Sequence, residues 1–297
     1  MERFYELFSR WAEAGLVPAI FAHAFMVRGL LAVLLVGPLF GGLGTLVVTK
    51  RLSFFVQAVA NASLTGTAIG LLLGEPAGAT WAGLYGFCLA SALLVTYIRN
   101  RSRAPNDTVT GVFLAQSLGL GVIMVALVAK RFDIHRVEAT LFGSLITLRD
   151  GDLVLLGVTL LTALLLCRFL FNAFMLSSLN PALARARGLN PVLLDYVFVA
   201  LATAAVVAGL KIVGALLILV MIVVPAAAAR NVAENLRQFF WISLVLSTLS
   251  AVGGLLVSGW WPIPTGGAIA AVSGALFYLT LAARPFLGKR DAAHASA

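Results

Sequence analysis

The chain is divided into apolar stretches of nearly uniform length, and this pattern restricts its fold more than any other feature. Crossing the hydrocarbon core of a bilayer takes about 20 consecutive apolar residues in an α-helix. The pattern therefore predicts an all-α, polytopic membrane protein with about eight or nine transmembrane helices. The stretches lie at 26–49, 54–73, 77–98, 107–129, 152–175, 193–209, 211–229, 238–258 and 264–283.

Composition excludes a water-soluble fold. Hydrophobic residues make up 61% of the chain, charged residues only 11%, and the mean hydropathy is +1.02. A soluble domain has roughly 25% charged residues. We therefore expect membrane lipid, not water, to surround most of the protein.

The positive charge is distributed unevenly between alternate loops. The net charge is +9 and the isoelectric point is near 10.3, values that also occur in nucleic-acid-binding proteins. With the 99–106 loop assigned to the cytoplasm, that side carries 13 cations and 4 acidic residues, and the other side carries 8 of each. This follows the positive-inside rule. The sequence predicts a bacterial-type cytoplasmic (inner) membrane protein with a cytoplasmic C-terminus and no nucleic-acid partner.

The sixth and seventh stretches are short and nearly continuous. A single helix over 193–229 would be about 55 Å long, which is much more than a bilayer core requires. Arg185 and Arg230 both belong to the cytoplasmic side, so the chain between them must cross an even number of times. Two short crossings or a re-entrant hairpin are therefore predicted, with the boundary near Lys211.

The two ends of the chain differ from the apolar middle. Residues 1–22 contain apolar side chains at helical spacing among charged ones, which is typical of a helix lying in the membrane interface. Residues 23–286 form the predicted transmembrane domain, and 287–297 a cytoplasmic tail.

Glycines at a spacing of four residues predict close helix packing. Gly37 with Gly41, and Gly70 with Gly74, have the spacing that lets two helix backbones approach each other.

A short basic segment, SSLNPALARARGLNPVLL at 177–194, interrupts the apolar pattern. Pro181 predicts a helix start, and Gly188 followed by Pro191 predicts its end. The segment resembles the cytoplasmic coupling helix of permeases of the zinc/manganese/iron-type ATP-binding-cassette (ABC) importers. The segments at 28–52, 106–122, 211–238 and 263–278 resemble the same family, in the same order.

The resemblance implies a permease that works as a homodimer. It implies an extracytoplasmic substrate-binding protein, and two cytoplasmic ATPase subunits that bind the ATP and press on a coupling helix at about 180–190. Consistent with this, the chain carries no Walker-type motif, so we expect neither an enzyme activity nor a cofactor of its own. Pro181 and Gly188 would bound the helix of this coupling segment. Leu183 and Leu189 would fill the ATPase groove, and Arg185 and Arg187 would lie at its rim. The alternative is an ordinary basic loop.

The sequence differs from the family pattern on the second predicted helix. Metal-importing members carry an Asp and, four residues later, a His, where this chain has Gln57 and Asn61. Thr65 extends the same helical face by one turn. Amides offer only neutral oxygens to a metal ion, whereas bare transition-metal ions prefer anionic or imidazole ligands. Either the cargo is a metal chelate or another non-ionic species, or these amides join helices and the binding protein selects the cargo. The metal is therefore unknown.

Two other classes of membrane protein fit the sequence less well. An ion-gradient-driven secondary transporter would place protonatable residues near mid-membrane, whereas the predicted spans carry acids only near their ends. A membrane-embedded enzyme would need a catalytic motif such as His-Glu-x-x-His, which the sequence lacks. The permease of an ABC importer is the preferred interpretation.

Overall fold

The computed structural model describes residues 24–76, 80–102, 105–129, 150–215, 217–261 and 263–294, and the regular elements in these ranges are all helices. Eight helices are long and apolar enough to cross a membrane, which confirms the predicted fold class. The helices are α1 (Ala24–Thr49), α2 (Ser53–Leu72), α3 (Trp81–Arg101), α4 (Asn106–Ala129), α5 (Asp150–Leu179), α6 (Pro181–Ala186), α7 (Pro191–Val213), α8 (Ile218–Val232), α9 (Leu236–Trp260) and α10 (Thr265–His294).

The ambiguous sixth and seventh stretches form a hairpin of one long and one short helix. The predicted boundary near Lys211 is three residues early, because α7 continues to Val213 and the break is at Gly214, whose φ is +84°. Helix α8 has 15 residues and is therefore about 22 Å long, less than a hydrocarbon core. Asp195 near the start of α7 and Arg230 near the end of α8 line the same cavity, so the chain returns to the end it left, as the charge distribution predicts.

The two ends of the helix bundle differ in chemistry. One end, called the cationic end below, gathers Lys50, Arg51, Arg99 and Arg230 around this cavity. At the other end of α9, the side chains of Trp260 and Trp261 are exposed, as is typical of aromatic residues at a membrane interface.

Helices α1, α2 and α7 are the most buried spans and form the middle of the bundle. Helix α1 packs along α9 and α5, and α2 packs between α3 and α4. Helix α7 packs against α3 and α5, and α8 packs against α9 and α10. The polar face of α2 thus lies within the bundle and not at the lipid surface.

Close glycine packing is confirmed at three of the four predicted positions. Gly37 and Gly41 face the backbone of α9, where an added Cβ would lie 2.7 Å from Thr248 Cα and 2.6 Å from Leu244 Cα, respectively. Gly70 lies against the N-terminal turn of α3. The prediction is wrong for Gly74, because α2 ends at Leu72 and Gly74 has a φ of +84°, with no atom from the described part of the chain within 4 Å of its Cβ position.

Two domain predictions concern the ends of the chain. The interfacial helix predicted over 1–22 lies outside the described residues. Helix α10 continues through Arg284 to His294, so the helix includes most of the predicted tail.

Candidate functional site

The first candidate site is the polar face of α2. Gln57, Asn61 and Thr65 follow one another at intervals of four residues, so their side chains lie on one side of the helix. Asn61 and Thr65 are each only 4% exposed, and Gln57 is half-buried. The predicted stripe therefore exists, and it lies among packed helices.

The stripe contacts the break between α7 and α8. Gln57 Nε2 donates hydrogen bonds to Asn61 Oδ1, at 3.1 Å, and to the backbone carbonyl of Ala215, at 3.2 Å. Because a backbone carbonyl only accepts hydrogen bonds, the Gln57 atom that faces it must be the NH₂ group. Ala215 follows Gly214, where α7 has ended and its last carbonyl groups lack helical partners. The amide of Gln57 therefore connects α2 to the unwound segment between α7 and α8.

Two oxygens of the stripe remain without a hydrogen-bond partner among the described residues. They are the buried Gln57 Oε1 and Thr65 Oγ1. An unpartnered oxygen in an apolar interior is costly, because it loses its hydrogen bonds to water. Each of these two oxygens is therefore an unused hydrogen-bond acceptor in the bundle interior.

The stripe offers neutral oxygens and no carboxylate or imidazole. Among the described residues, no three His, Cys, Asp or Glu side chains come together in a group that could hold a metal ion. His23 and His135 lie outside the described residues, and so does the side chain of His294. The chemistry of the donors on α2 therefore differs from that of a transition-metal site made by imidazole and carboxylate.

The second candidate site is α6, the short helix between α5 and α7. Asn180 is its N-cap and accepts a hydrogen bond from Leu183 N at 3.0 Å. Asn190 caps α7 in the same way, accepting from Val192 N at 3.1 Å. Gly188, with a φ of +76°, reverses the chain between the two helices. Helix α6 begins at the predicted Pro181 and ends at Ala186, close to the predicted stop.

The surface of α6 combines cations with apolar side chains. Arg185 and Arg187 are exposed, and Leu183 is 43% exposed. Ala184 is fully buried and holds α6 against the bundle. Leu189 differs from Leu183, because it is partly buried and packs against the hydrophobic core.

An ion-pair cluster at the cationic end was not predicted from the sequence. Asp195 on α7 accepts a hydrogen bond from Lys50 Nζ at 2.6 Å and lies 3.5 Å from Arg99 Nη2. The charge distribution assigns all three residues to one side of the membrane, yet their pairing joins residues from distant parts of the chain. The sequence does contain a signal for this cluster. Asp195, Lys50 and Arg99 each lie near the end of an apolar span, where a buried charge needs a partner of opposite sign.

A cavity of about 710 Å³ opens beside this cluster. Its walls are the α1–α2 turn, the end of α3, the start of α6 and the α8–α9 connection, with Glu234 as its second acidic residue. The cavity therefore borders both α6 and the N-terminal end of α2.

Comparisons with known proteins match nearly the whole chain. A model of the family described as "ABC 3 transport family" matches residues 22–284. The chain is 26% identical over 266 residues to "Manganese transport system membrane protein MntC" of Listeria monocytogenes, covering 90% of this chain and 93% of that protein. It is 28% identical over 262 residues to "Manganese import system permease protein ScaB" of Streptococcus parasanguinis, covering 88% and 91%. The fold resembles the solved structure "PsaBC from Streptococcus pneumoniae in complex with Fab", with a TM-score of 0.76 and 25% identity over 87% of this chain and 91% of that one.

Proposed function

Because the chain belongs to the ABC 3 transport family, we propose that it forms the translocation path for a divalent metal cargo and couples that path to a separate ATPase. It is a transmembrane permease subunit of an ABC transporter. The cargo proposal rests on the relatives named for manganese transport and import. The observation that supports it most is the buried polar stripe of α2, in which Gln57 Oε1 and Thr65 Oγ1 have no hydrogen-bond partner among the described residues.

The chemistry of the stripe favours a metal that keeps ligands of its own. Neutral oxygens offset little of the energy needed to strip the water from a bare divalent ion, whereas they accept hydrogen bonds from metal-bound water or from a chelator. Gln57 has one group for each of the two roles considered from the sequence, joining helices and contacting the cargo. Its NH₂ group joins α2 to Ala215, and its buried Oε1 is an acceptor without a partner among the described residues.

Variants of Gln57 test this role by uptake of Mn²⁺, supplied as the hydrated ion or as a chelate, into proteoliposomes that contain the assembled transporter. Gln57→Leu should reduce uptake, because it removes both the joining and the accepting group. Ser63→Ala is the control, because Ser63 is buried on the same helix and its hydroxyl donates a hydrogen bond to the carbonyl of Ala60, within α2 itself. Unchanged uptake by Gln57→Leu would refute a role of the stripe in transport.

A second variant tests the ligand chemistry. Replacing Gln57 by Asp together with Asn61 by His supplies an anionic and an imidazole ligand at the same positions. We expect this double variant to gain uptake of bare Zn²⁺ relative to the chelate. If the ratio does not change, the stripe does not contact the metal.

Helix α6 is proposed as the contact with the ATPase. Its exposed Leu183 and the exposed cations Arg185 and Arg187 support this role, since they form an apolar and basic surface at the cationic end. Pro181 and Gly188 bound the segment, and Leu189 anchors it to the bundle. Under this proposal the ATP-binding site belongs to the partner subunit, and this chain supplies no catalytic residue and no cofactor.

Charge reversal tests the contact. Arg185→Glu with Arg187→Glu should leave the protein inserted but separate ATP hydrolysis from uptake. Arg284→Glu on α10 is a suitable control, because it reverses an exposed charge that is not on α6. Uptake equal to that of the control would identify α6 as an ordinary basic loop.

The assembly is proposed to contain two copies of this chain, two ATPase subunits and an extracytoplasmic substrate-binding protein in a bacterial inner membrane. The cationic end would then face the cytoplasm, in agreement with the positive-inside rule. Co-purification with a soluble ATPase is the discriminating experiment. Uptake driven by a proton gradient without any ATPase would favour the secondary transporter instead.

A further inference from the structure

The carboxylate of Asp195 connects three membrane-spanning helices at the cationic end. Asp195 on α7 lies 2.6 Å from Lys50 Nζ, just after α1, and 3.5 Å from Arg99 Nη2, in the last turn of α3. The side chains of Lys50 and Arg99 are only 5% and 7% exposed. Lys50 Nζ also lies 5.5 Å from the centre of the Phe198 ring.

The two cations depend on this single acid. A buried cation without a partner is strongly destabilising, so each buried cation needs a nearby negative charge. The other acidic residue of the cavity, Glu234, forms no ion pair with any described residue, although it lines the same space. Asp195 therefore neutralises the cluster, and Glu234 can serve as a control because it is an acid of the same cavity outside the cluster.

Asp195 is joined to α6 through a connection that is short and well bonded. Only residues 187–190 separate α6 from α7, and Asn190 caps the helix that carries Asp195. Within the connection, Gly188 N donates to Arg185 O at 2.9 Å, and Leu189 N donates to Ala184 O at 3.0 Å. These hydrogen bonds leave little freedom between α6 and the first turn of α7, so we expect a displacement of α6 to carry Asp195 with it.

On the other side of the ion pair, Lys50 is joined to the helix that carries the polar stripe. The α1–α2 turn is tight, with Arg51 at a φ of +55° and Leu52 N donating to Val47 O at 2.9 Å. Helix α2 begins at Ser53, one turn before Gln57. Helix α7 thus reaches the α1–α2 unit near both of its ends, through Asp195 at its start and through the contact of Ala215 with Gln57 just beyond its end.

We propose that Asp195 is a positioning residue that transmits the ATP-driven displacement of α6 through Lys50 and Arg99 to α1, α2 and α3, and so to the translocation path. This inference rests on the proposed function, because it takes α6 as the contact with the ATPase. Asp195 does not touch the cargo. It determines whether movement of α6 reaches the stripe.

The first experiment measures ATP hydrolysis and Mn²⁺ uptake by the reconstituted transporter, with its ATPase and its binding protein. Asp195→Asn should reduce the amount of Mn²⁺ moved per ATP by about tenfold while ATP hydrolysis continues, which is a typical size for coupling between sites. Asp195→Glu should restore most of the ratio, because it keeps the negative charge. Glu234→Gln should behave like the wild type.

A triple variant separates coupling from folding. Asp195→Asn alone leaves Lys50 and Arg99 buried without their acid, which is destabilising in itself. Lys50→Met with Arg99→Met and Asp195→Asn removes both cations and the acid together, so none of the three positions keeps a buried charge and the links from α7 to α1 and α3 are absent. The proposal expects this variant to assemble, to hydrolyse ATP and to remain uncoupled. A normal uptake ratio in the triple variant would overturn it, and so would a parallel loss of assembly, hydrolysis and uptake.

A cargo-independent readout keeps the inference distinct from the proposed function. Leu73 lies at the end of α2 away from the cationic end and is 74% exposed, so a fluorophore on Leu73→Cys reports movement of α2. ATP with vanadate should change its emission in the otherwise wild-type complex and not in the Asp195→Asn complex. If Mn²⁺ is not transported but this difference is found, the cargo proposal fails and the inference stands. An equal response in both complexes, or no response in either, would overturn the inference.

Discussion

Replacing Gly41 by Ala should separate α1 from α9 and destabilise the bundle. The added Cβ would lie 2.6 Å from Leu244 Cα, 2.8 Å from Ser243 O and 2.9 Å from Ser247 Cβ. Carbon atoms in good contact lie about 3.5–4.0 Å apart, so the two backbones must separate by roughly 1 Å. Overpacking of this kind costs roughly 1–3 kcal/mol.

Two further effects modify this estimate. Ser243 Oγ donates a hydrogen bond to Gly41 O at 2.8 Å, and separation of the helices weakens it. Hydrogen bonds between membrane helices contribute about 0.6 kcal/mol on average. In the opposite direction, Ala is favoured over Gly inside a helix by about 0.5–1 kcal/mol. The expected net loss in the free energy of unfolding is therefore roughly 1–3 kcal/mol.

Gly157→Ala is the matched control. Gly157 lies within α5 and has no atom of a described residue within 4 Å of its Cβ position, so only the gain in helix propensity applies. The free energy of unfolding is measured by titrating the detergent-solubilised protein with sodium dodecyl sulfate and following tryptophan fluorescence. Equal or greater stability of Gly41→Ala compared with Gly157→Ala would refute the close contact of α1 with α9.

Three other outcomes are expected. Gly188→Ala places a side chain at a φ of +76° and should destabilise the α6–α7 connection by about 1 kcal/mol or more, seen as faster hydrogen exchange in α6; unchanged exchange would contradict this. Asn190→Ala removes the cap of α7 and should lower the free energy of unfolding by about 1 kcal/mol in the same titration. Cys88 and Cys167 are buried and should not react with a maleimide until the protein is denatured, whereas Leu183→Cys should react from the side of the cationic end only.

Much of the fold could be predicted from the sequence, because the bilayer imposes a length on every crossing. The eight long helices follow from apolar length alone. The start of α6 at Pro181 and the chain reversal at Gly188 also follow from local rules, since they depend on φ preferences and on capping within a few residues. The position of the α7–α8 break was predicted less accurately, because Lys211 marks a change in polarity but Gly214 ends the helix.

The candidate site was predictable only in part. The stripe of Gln57, Asn61 and Thr65 follows from helical periodicity, and the structure places it within the bundle. Its partner, the carbonyl of Ala215, is a backbone group and leaves no signal in side-chain chemistry. The role of Gln57 in joining helices therefore depends on a contact across 158 positions of the chain.

The sequence by itself determined that the chain is a membrane-spanning helical protein, which loops are rich in cations and where the short basic helix lies. These features depend on residue type and on short spacings. Only the tertiary structure decided which helices touch, because lipid-facing and helix-facing apolar side chains are alike in composition and lipid provides no hydrophobic drive to pair one helix with another. That choice depends on close glycine contacts such as Gly41 on α9, and on polar pairs between distant residues such as Lys50 with Asp195.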